Sequence, residues 1–135
     1  MKHPSPNARG TTAAHWKAAS EGRLAVPYCA ACTQFHWPVR AACPHCGATP
    51  TWRDASGTGK LASWSVVHRA VHPELKEAAP YIVAFVELDE GARLFTNLVG
   101  ARTEALRVGQ RVRCRFEPAL DPAIHVPVFE IEDDE

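Results

Sequence analysis

The sequence predicts a mainly β chain in two parts, a small module held by four cysteines and then a five-stranded barrel, with one short helix ahead of both. Three observations predict it. Four of the five cysteines fall within residues 28–46, YCAACTQFHWPVRAACPHC, as two C-x-x-C pairs. Between residues 60 and 131, β-branched, aromatic or alternating apolar runs recur five times, separated by short turn-forming stretches. A helical pattern is confined to residues 11–22. A chain of 135 residues suits one domain, or two very small ones sharing an interface. At that length roughly two-thirds of the surface can be buried, so a real core is possible.

Residues 1–10, MKHPSPNARG, contain no apolar segment and are not a secretory signal; they are expected to be a disordered leader. In TTAAHWKAASEG, residues 11–22, Thr11 or Thr12 can cap the helix and Gly22 suits the left-handed position past its end. Trp16 is the one large apolar residue there, so it is expected to dock the helix onto something else. RLAVPYC then reads as a short strand entering the first cysteine pair, and helix and cysteine module together occupy residues 11–53. DASGTGK, residues 54–60, is a turn or linker.

The barrel unit is placed at residues 54–131. KLASWSVVHRAV (60–71) is its first strand. YIVAFVEL (81–88) is a nearly continuous apolar run, as in a strand covered on both faces. DEG (89–91) is a tight turn, so 81–88 and 92–99 form a hairpin. ALRVGQ (105–110) is a loop. In QRVRCRFEP (110–118), Val112, Cys114 and Phe116 alternate with Arg111, Arg113 and Arg115. IHVPVFEI (124–131) closes the unit, and residues 132–135 are an acidic tail. Five strands in about 70 residues fit a closed barrel of the OB type, with a small sandwich as the alternative.

Net charge is zero but unevenly spread: residues 1–59 hold six basic and two acidic side chains, residues 60–135 nine basic and thirteen acidic. This is not the basic stripe of a nucleic-acid binder, and the tail would repel phosphates. The longest apolar run, YIVAFV, is far too short to span a bilayer. The default location is the reducing cytoplasm, where paired cysteines point to metal or redox chemistry before structural disulfides.

Cys29, Cys32, Cys43 and Cys46 follow the spacing C-x2-C-x10-C-x2-C. Two such turns can supply four thiolates to a tetrahedral zinc at about 2.3 Å. Ten intervening residues allow a short hairpin that brings the turns face to face. Pro44 and Gly47 suit the second turn; in the first, Thr33 stands where the equivalent glycine would be. A closed structural zinc site is the leading reading, with redox-active cysteines and rubredoxin-like iron as alternatives. Four cysteines leave no open position for catalysis. His36 and His45 are not needed as ligands and are expected to be exposed. Zinc binding in such small units contributes on the order of 10 kcal/mol to folding.

Other signals carry less. SGTGK (56–60) resembles part of a phosphate loop, but Leu61 stands where Ser or Thr is needed and a strand follows, not a helix. His68 and His72 are four apart on what reads as a strand, so they do not pair. Cys114 sits on the apolar face of its strand and reads as core. No catalytic set is visible. Phe35, Trp37 and Trp52 are too many large rings for the cysteine module to bury; with Trp16 they pack on the barrel or on a partner.

The stretches HWKAASEGRL, YCAAC, WPVRAACPHCG, SGTGKLASWSVVHR, PYIVAFVELDEGARLFTNLVG and VGQRVRCRFEP, over residues 15–118, together resemble a known family. It is the DUF35 type, a rubredoxin-like zinc ribbon fused to an OB-fold and associated with acyl-CoA metabolism. The resemblance implies a non-catalytic accessory subunit. It would bind acyl-CoA, dock on a thiolase-like (lipid-transfer-type) enzyme or a related hydratase or aldolase, and help shape the channel for the CoA thioester. Candidate cations for the CoA phosphates are Arg40, Lys60 and Arg69. The rival from another class is a single-stranded nucleic-acid binder, since OB-folds and zinc ribbons both serve there. A stand-alone thioesterase is a third reading.

Overall fold

The computed structural model describes residues 3–69, 73–76 and 78–132. Its main elements are helix α1 (Ala13–Ser20) and eight strands: β1 (Ala25–Cys29), β2 (Gln34–Phe35), β3 (Thr51–Asp54), β4 (Thr58–Val67), β5 (Tyr81–Leu88), β6 (Arg93–Leu98), β7 (Arg111–Pro118) and β8 (His125–Ile131). The first three form an antiparallel sheet in the order β2-β1-β3, and the last five a closed barrel in the order β4-β5-β6-β8-β7. Numbered within the barrel, that is 1-2-3-5-4, the Greek-key order of the OB-fold. No helix among the described residues is long and apolar enough to cross a membrane.

The helix ends as its sequence predicts. Gly22 takes φ +77°, its N–H bonds the Ala19 carbonyl at 3.0 Å, and the Arg23 N–H bonds Ala18 at 2.9 Å. That is the Schellman pairing, which satisfies the last carbonyls. The start differs. Thr12 makes no capping bond, and its hydroxyl accepts from the Trp16 indole at 3.2 Å. The face the helix buries is His15, Ala18 and Ala19, against β1 and β8. Trp16, expected to be the docking residue, is only half-buried.

Three other expectations need correction. The linker is shorter than residues 54–60, because Asp54 ends β3 and Thr58 already begins β4. The glycines of SGTGK serve this entry: Gly57 has φ +83°, and a Cβ on Gly59 would lie 2.3 Å from the Glu87 carbonyl oxygen. The first barrel strand ends at Val67 where residue 71 was expected; residues 70–72, including His72, lie outside the described residues. Finally, the segment read as a disordered leader is placed from His3 onward. Its backbone bridges Ala119, the Leu120 N–H bonds the His3 carbonyl at 2.9 Å, and His3 Nε2 meets Glu117 Oε1 at 2.7 Å. Two prolines here lower the entropy lost on ordering.

The hairpin of β5 and β6 forms as predicted, in register from Ile82↔Leu98 to Glu87↔Arg93. Its turn places Gly91 at φ +102°. The apolar run of β5 is covered on one face, not two. Ile82, Ala84, Val86 and Leu88 point into the barrel, while Phe85 stays 43% exposed and its neighbour Phe95 on β6 61%. In β7, Val112, Cys114 and Phe116 pack inward and the arginines point out. Arg113 and Arg115 reach Glu130 on β8. The β6–β8 join is the thinnest: one parallel pair, Leu98↔Phe129, and the Val99 N–H on the Phe129 carbonyl at 2.9 Å.

Leu24 and Val26 from the cysteine module enter the same buried cluster as Leu61, Val86, Val112 and Phe129 of the barrel. Phe35 and Trp37 pack against its edge. Module and barrel therefore share one core.

Candidate metal centre

The β1–β2 hairpin carries Cys29 at the end of β1 and Cys32 in its turn; Cys43 and Cys46 lie in the loop before β3. All four sulfurs fall within 4.8 Å of one another. Cys29 Sγ is 3.5 Å from Cys46 Sγ, and Cys43 Sγ is 3.9 Å from Cys32 Sγ. Four sulfurs around a zinc at 2.3 Å would be spaced ~3.8 Å apart, so the set already has the dimensions of a tetrahedral site. Backbone amides aim at it from both turns: Cys32 N–H to Cys29 Sγ at 3.4 Å, and His45 N–H to Cys43 Sγ at 3.5 Å. The residues fit a closed metal site.

Each turn needs a left-handed residue to fold back. Gly47 supplies it in the second turn at φ +77°, with the Gly47 N–H on the Cys43 carbonyl. Thr33 supplies it in the first at φ +54°, among the described residues the one non-glycine at positive φ. The thiols' acidities divide. Amide hydrogen bonding, led by His45, draws Cys43 down, while hydrogen bonding with Cys46 and burial push Cys32 up. Four thiolates this close repel one another strongly unless a divalent cation sits among them.

The flanking histidines differ from each other. His45 is exposed as expected. Both ring nitrogens of His36, also expected exposed, are enclosed and have no hydrogen-bond partner among the described residues. Cys114 lies in the barrel wall, away from the set, and burial pushes its thiol up to about 12.

The aromatic candidates do not form one group. Phe35 stands edge-on to Tyr28 at 4.8 Å on the ribbon sheet. Three of the four tryptophans gather around His15, with ring centroids at 4.6 Å for Trp16, 4.8 Å for Trp37 and 6.3 Å for Trp52. His15 is only 2% exposed and its Nδ1 lies 2.9 Å from the Ala25 carbonyl. Sequence reasoning passed over it. The available signal was its position three and four residues before Ala18 and Ala19, which puts all three on one helix face.

The candidate cations are also dispersed. Arg40 is exposed in the loop between the cysteine pairs. Lys60 is exposed near the start of β4, and its charge acts on Asp89. Arg69 is exposed beyond the far end of β4. From residue 60 to residue 67 a strand runs ~23 Å, so Lys60 and Arg69 do not share one small slot.

The chain matches two family profiles, described as the ChsH2 rubredoxin-like zinc ribbon domain over residues 16–51 and the ChsH2 C-terminal OB-fold domain over residues 52–117. It is similar to a probable enoyl-CoA hydratase alpha subunit of Thermomonospora curvata, 40% identical over 128 residues. The match covers 93% of this chain and 39% of that protein, so the chain spans about two-fifths of its length. A DUF35 domain-containing scaffold protein of Methanothermobacter thermautotrophicus is 34% identical over 90 residues, 65% of this chain and 67% of the other. Among solved structures, a chain of an Ltp2-ChsH2(DUF35) aldolase superposes with a TM-score of 0.82 at 38% identity, covering 94% of this chain and 98% of that one. The zinc-ribbon match together with the sulfur geometry assigns one structural zinc ion to the four cysteines.

Proposed function

This chain belongs to the DUF35 family of ChsH2-type zinc ribbon and OB-fold proteins, and on that premise we propose that it is a non-catalytic accessory subunit. In this reading it docks on a thiolase-like enzyme of the lipid-transfer type, or on a related hydratase or aldolase, and binds acyl-CoA beside the partner's active site. Its task is to shape the channel for the CoA thioester.

The observation that carries the reading is the near-complete correspondence with the chain of the Ltp2-ChsH2(DUF35) aldolase. Two features of the molecule support it. The zinc site is closed by four sulfurs and has no position for substrate, so the ribbon acts as a clip. Phe85 and Phe95, 5.1 Å apart, form an exposed apolar pair on the outer barrel face, as expected of a chain that works in a complex. Arg40, Lys60 and Arg69 remain the proposed phosphate contacts; their dispersion means any one thioester engages a subset, with the partner completing the slot.

The test is isolation of the tagged chain from its native cells, with mass spectrometry of co-purifying protein and titration calorimetry of a medium-chain acyl-CoA into the chain alone and into the complex. A thiolase, hydratase or aldolase subunit in stoichiometric amount is the expected result, with tighter acyl-CoA binding by the complex. A candidate enzyme that is stable and fully active without this chain would overturn the accessory role. Salt-sensitive binding of single-stranded oligonucleotide in place of acyl-CoA would move the protein to a different class.

A further inference from the structure

An unassigned cavity of about 240 Å³ lies where the N-terminal segment, helix α1, the ribbon and the barrel meet. Its walls are largely apolar: Pro4 and Pro6 from the N-terminal segment, Trp16 from the helix, Trp37 from the ribbon, and Phe95 and Pro127 from β6 and β8. Among the described residues, no lysine or arginine lines it. Its polar lining is mostly spoken for. Thr96 Oγ1 donates to the Pro127 carbonyl at 3.3 Å, Asn97 Nδ2 donates to the Ile82 carbonyl at 3.3 Å, and His3 Nε2 is held by Glu117.

His15 also lines the cavity, and it is different. A carbonyl cannot donate, so the 2.9 Å contact with Ala25 fixes the proton on His15 Nδ1. Burial lowers the pKa of this imidazole, against the opposing effect of the Ala25 bond, so the ring is neutral at physiological pH. Nε2 then carries a lone pair and has no hydrogen-bond partner among the described residues. It is not sealed in either. The enclosed, unpartnered side-chain nitrogens among the described residues belong to His36 and His125. The open space beside His15 is this cavity.

Size and chemistry restrict the occupant. A cavity of about 150 Å³ holds a benzene-sized ring, and pockets for drug-sized ligands start at about 300 Å³. The present volume suits one aromatic ring system, not a pantetheine arm with its phosphates, for which the described lining residues supply no lysine or arginine. His15 Nε2 is an unpartnered acceptor in this wall, so an occupant that carries a donor can pair with it. We propose that this cavity is an anchor pocket for a single tryptophan or tyrosine side chain of the partner enzyme subunit, whose indole N–H or phenol O–H donates to His15 Nε2. The assignment rests on the accessory-subunit reading above. Phe95 belongs both to the cavity wall and to the exposed Phe85–Phe95 pair, so the pocket opens onto an apolar face that a docked subunit would cover. It gives Trp16 and Trp37 a shared place in the interface, and leaves Phe35 and Trp52 outside the pocket.

The experiment uses the zinc-loaded full chain with indole and 1-methylindole as probes, followed by ligand-observed NMR and by the ¹⁵N resonances of His15. Indole is expected to bind three- to tenfold more tightly than 1-methylindole, the value of one neutral hydrogen bond, and to shift the Nε2 signal. Equal binding of the two probes, or none, overturns the acceptor role. His15→Phe loses the Ala25 bond and can fail to fold, so the second variant is Val126→Trp, which fills the cavity from its β8 rim. With an unchanged amide spectrum elsewhere, V126W is expected to abolish indole binding and weaken the partner enzyme at least tenfold. If V126W binds that enzyme as wild type does, the anchor is wrong while the docking reading stands. If wild type itself binds no such enzyme, the docking reading and the anchor fall together.

Discussion

Thr33 is the residue at which the ribbon's backbone is least comfortable. A β-branched side chain at φ +54° crowds its own backbone, where glycine would be at ease. Its hydroxyl sits 2.6 Å from the Cys32 carbonyl and offsets part of that cost. Thr33→Gly is expected to raise the stability of the zinc-loaded chain by about 1 kcal/mol, read from urea unfolding followed by tryptophan fluorescence. A variant no more stable than wild type would mean the hydroxyl bond outweighs the strain. This position, like the four cysteines, was legible in the sequence because both turns depend on neighbours a few residues away. His15 and His36 were not. A lone histidine in an alanine-rich helix carries no local mark of burial, and what buries it arrives from Trp37 and Trp52, far along the chain.

Among the elements, the β5–β6 turn does more than reverse the chain. Asp89 accepts both terminal nitrogens of Arg111 on β7, at 2.7 and 2.9 Å, and the Thr58 hydroxyl of β4 at 2.6 Å. Beside it, Glu90 accepts the Ser56 N–H at 2.7 Å, which ties down the short connection between β3 and β4. The Arg111 guanidinium and then the Thr58 hydroxyl hold the Asp89 carboxyl well below the usual carboxylate range. A depressed folded-state pKa stabilises the fold above the unfolded value of about 3.9, and that contribution fades as pH falls from there toward the folded value. Asp89→Asn is therefore expected to destabilise the chain at pH 7, with the gap from wild type constant down to about pH 5 and shrinking below about pH 4. Chemical denaturation across that range checks it; a gap that widens in acid would refute the assignment. The strands themselves were readable from alternation and turn residues. The outer face of β5 was not, since an apolar run looks the same whether its second face meets its own chain or another. Nor was β3, because TWRD shows its strand character only once Trp52 lies opposite Pro27.

At the scale of the whole molecule, the shared core decides how the parts respond to loss of zinc. Val26 and Leu24 sit in one cluster with the barrel, and Val26 and Cys29 lie three residues apart on β1. Chelation should therefore lower the unfolding temperature of the barrel together with that of the ribbon, in one cooperative transition by calorimetry. Replacing Cys29 or Cys43, the two buried ligands, with Ser should do the same and abolish stoichiometric zinc. Two separated transitions, with the barrel's unmoved, would mean the units are independent. The sequence suited one domain or two very small ones sharing an interface, and local patterns could not tell how deeply the two parts interpenetrate. The N-terminal segment shows the same limit: nothing in its composition pointed to Glu117, more than a hundred residues away.

The thin join between β6 and β8 gives the barrel a preferred line of breathing. Every other seam is a multi-residue ladder, whereas this one is a single registered pair beside the Val99 N–H and the Thr96 hydroxyl on the Pro127 carbonyl. Parted there, the wall would unroll into an open sheet, β6-β5-β4-β7-β8, with its remaining hydrogen bonds intact. Native-state deuterium exchange should find the Val99 amide opening at a free energy below that of global unfolding, while the amides of Val86 and Leu88 open only with the whole fold. The slit so formed lies between β6 and β8, the two strands that wall the aromatic cavity, so whatever fills that cavity would act as a latch on the barrel.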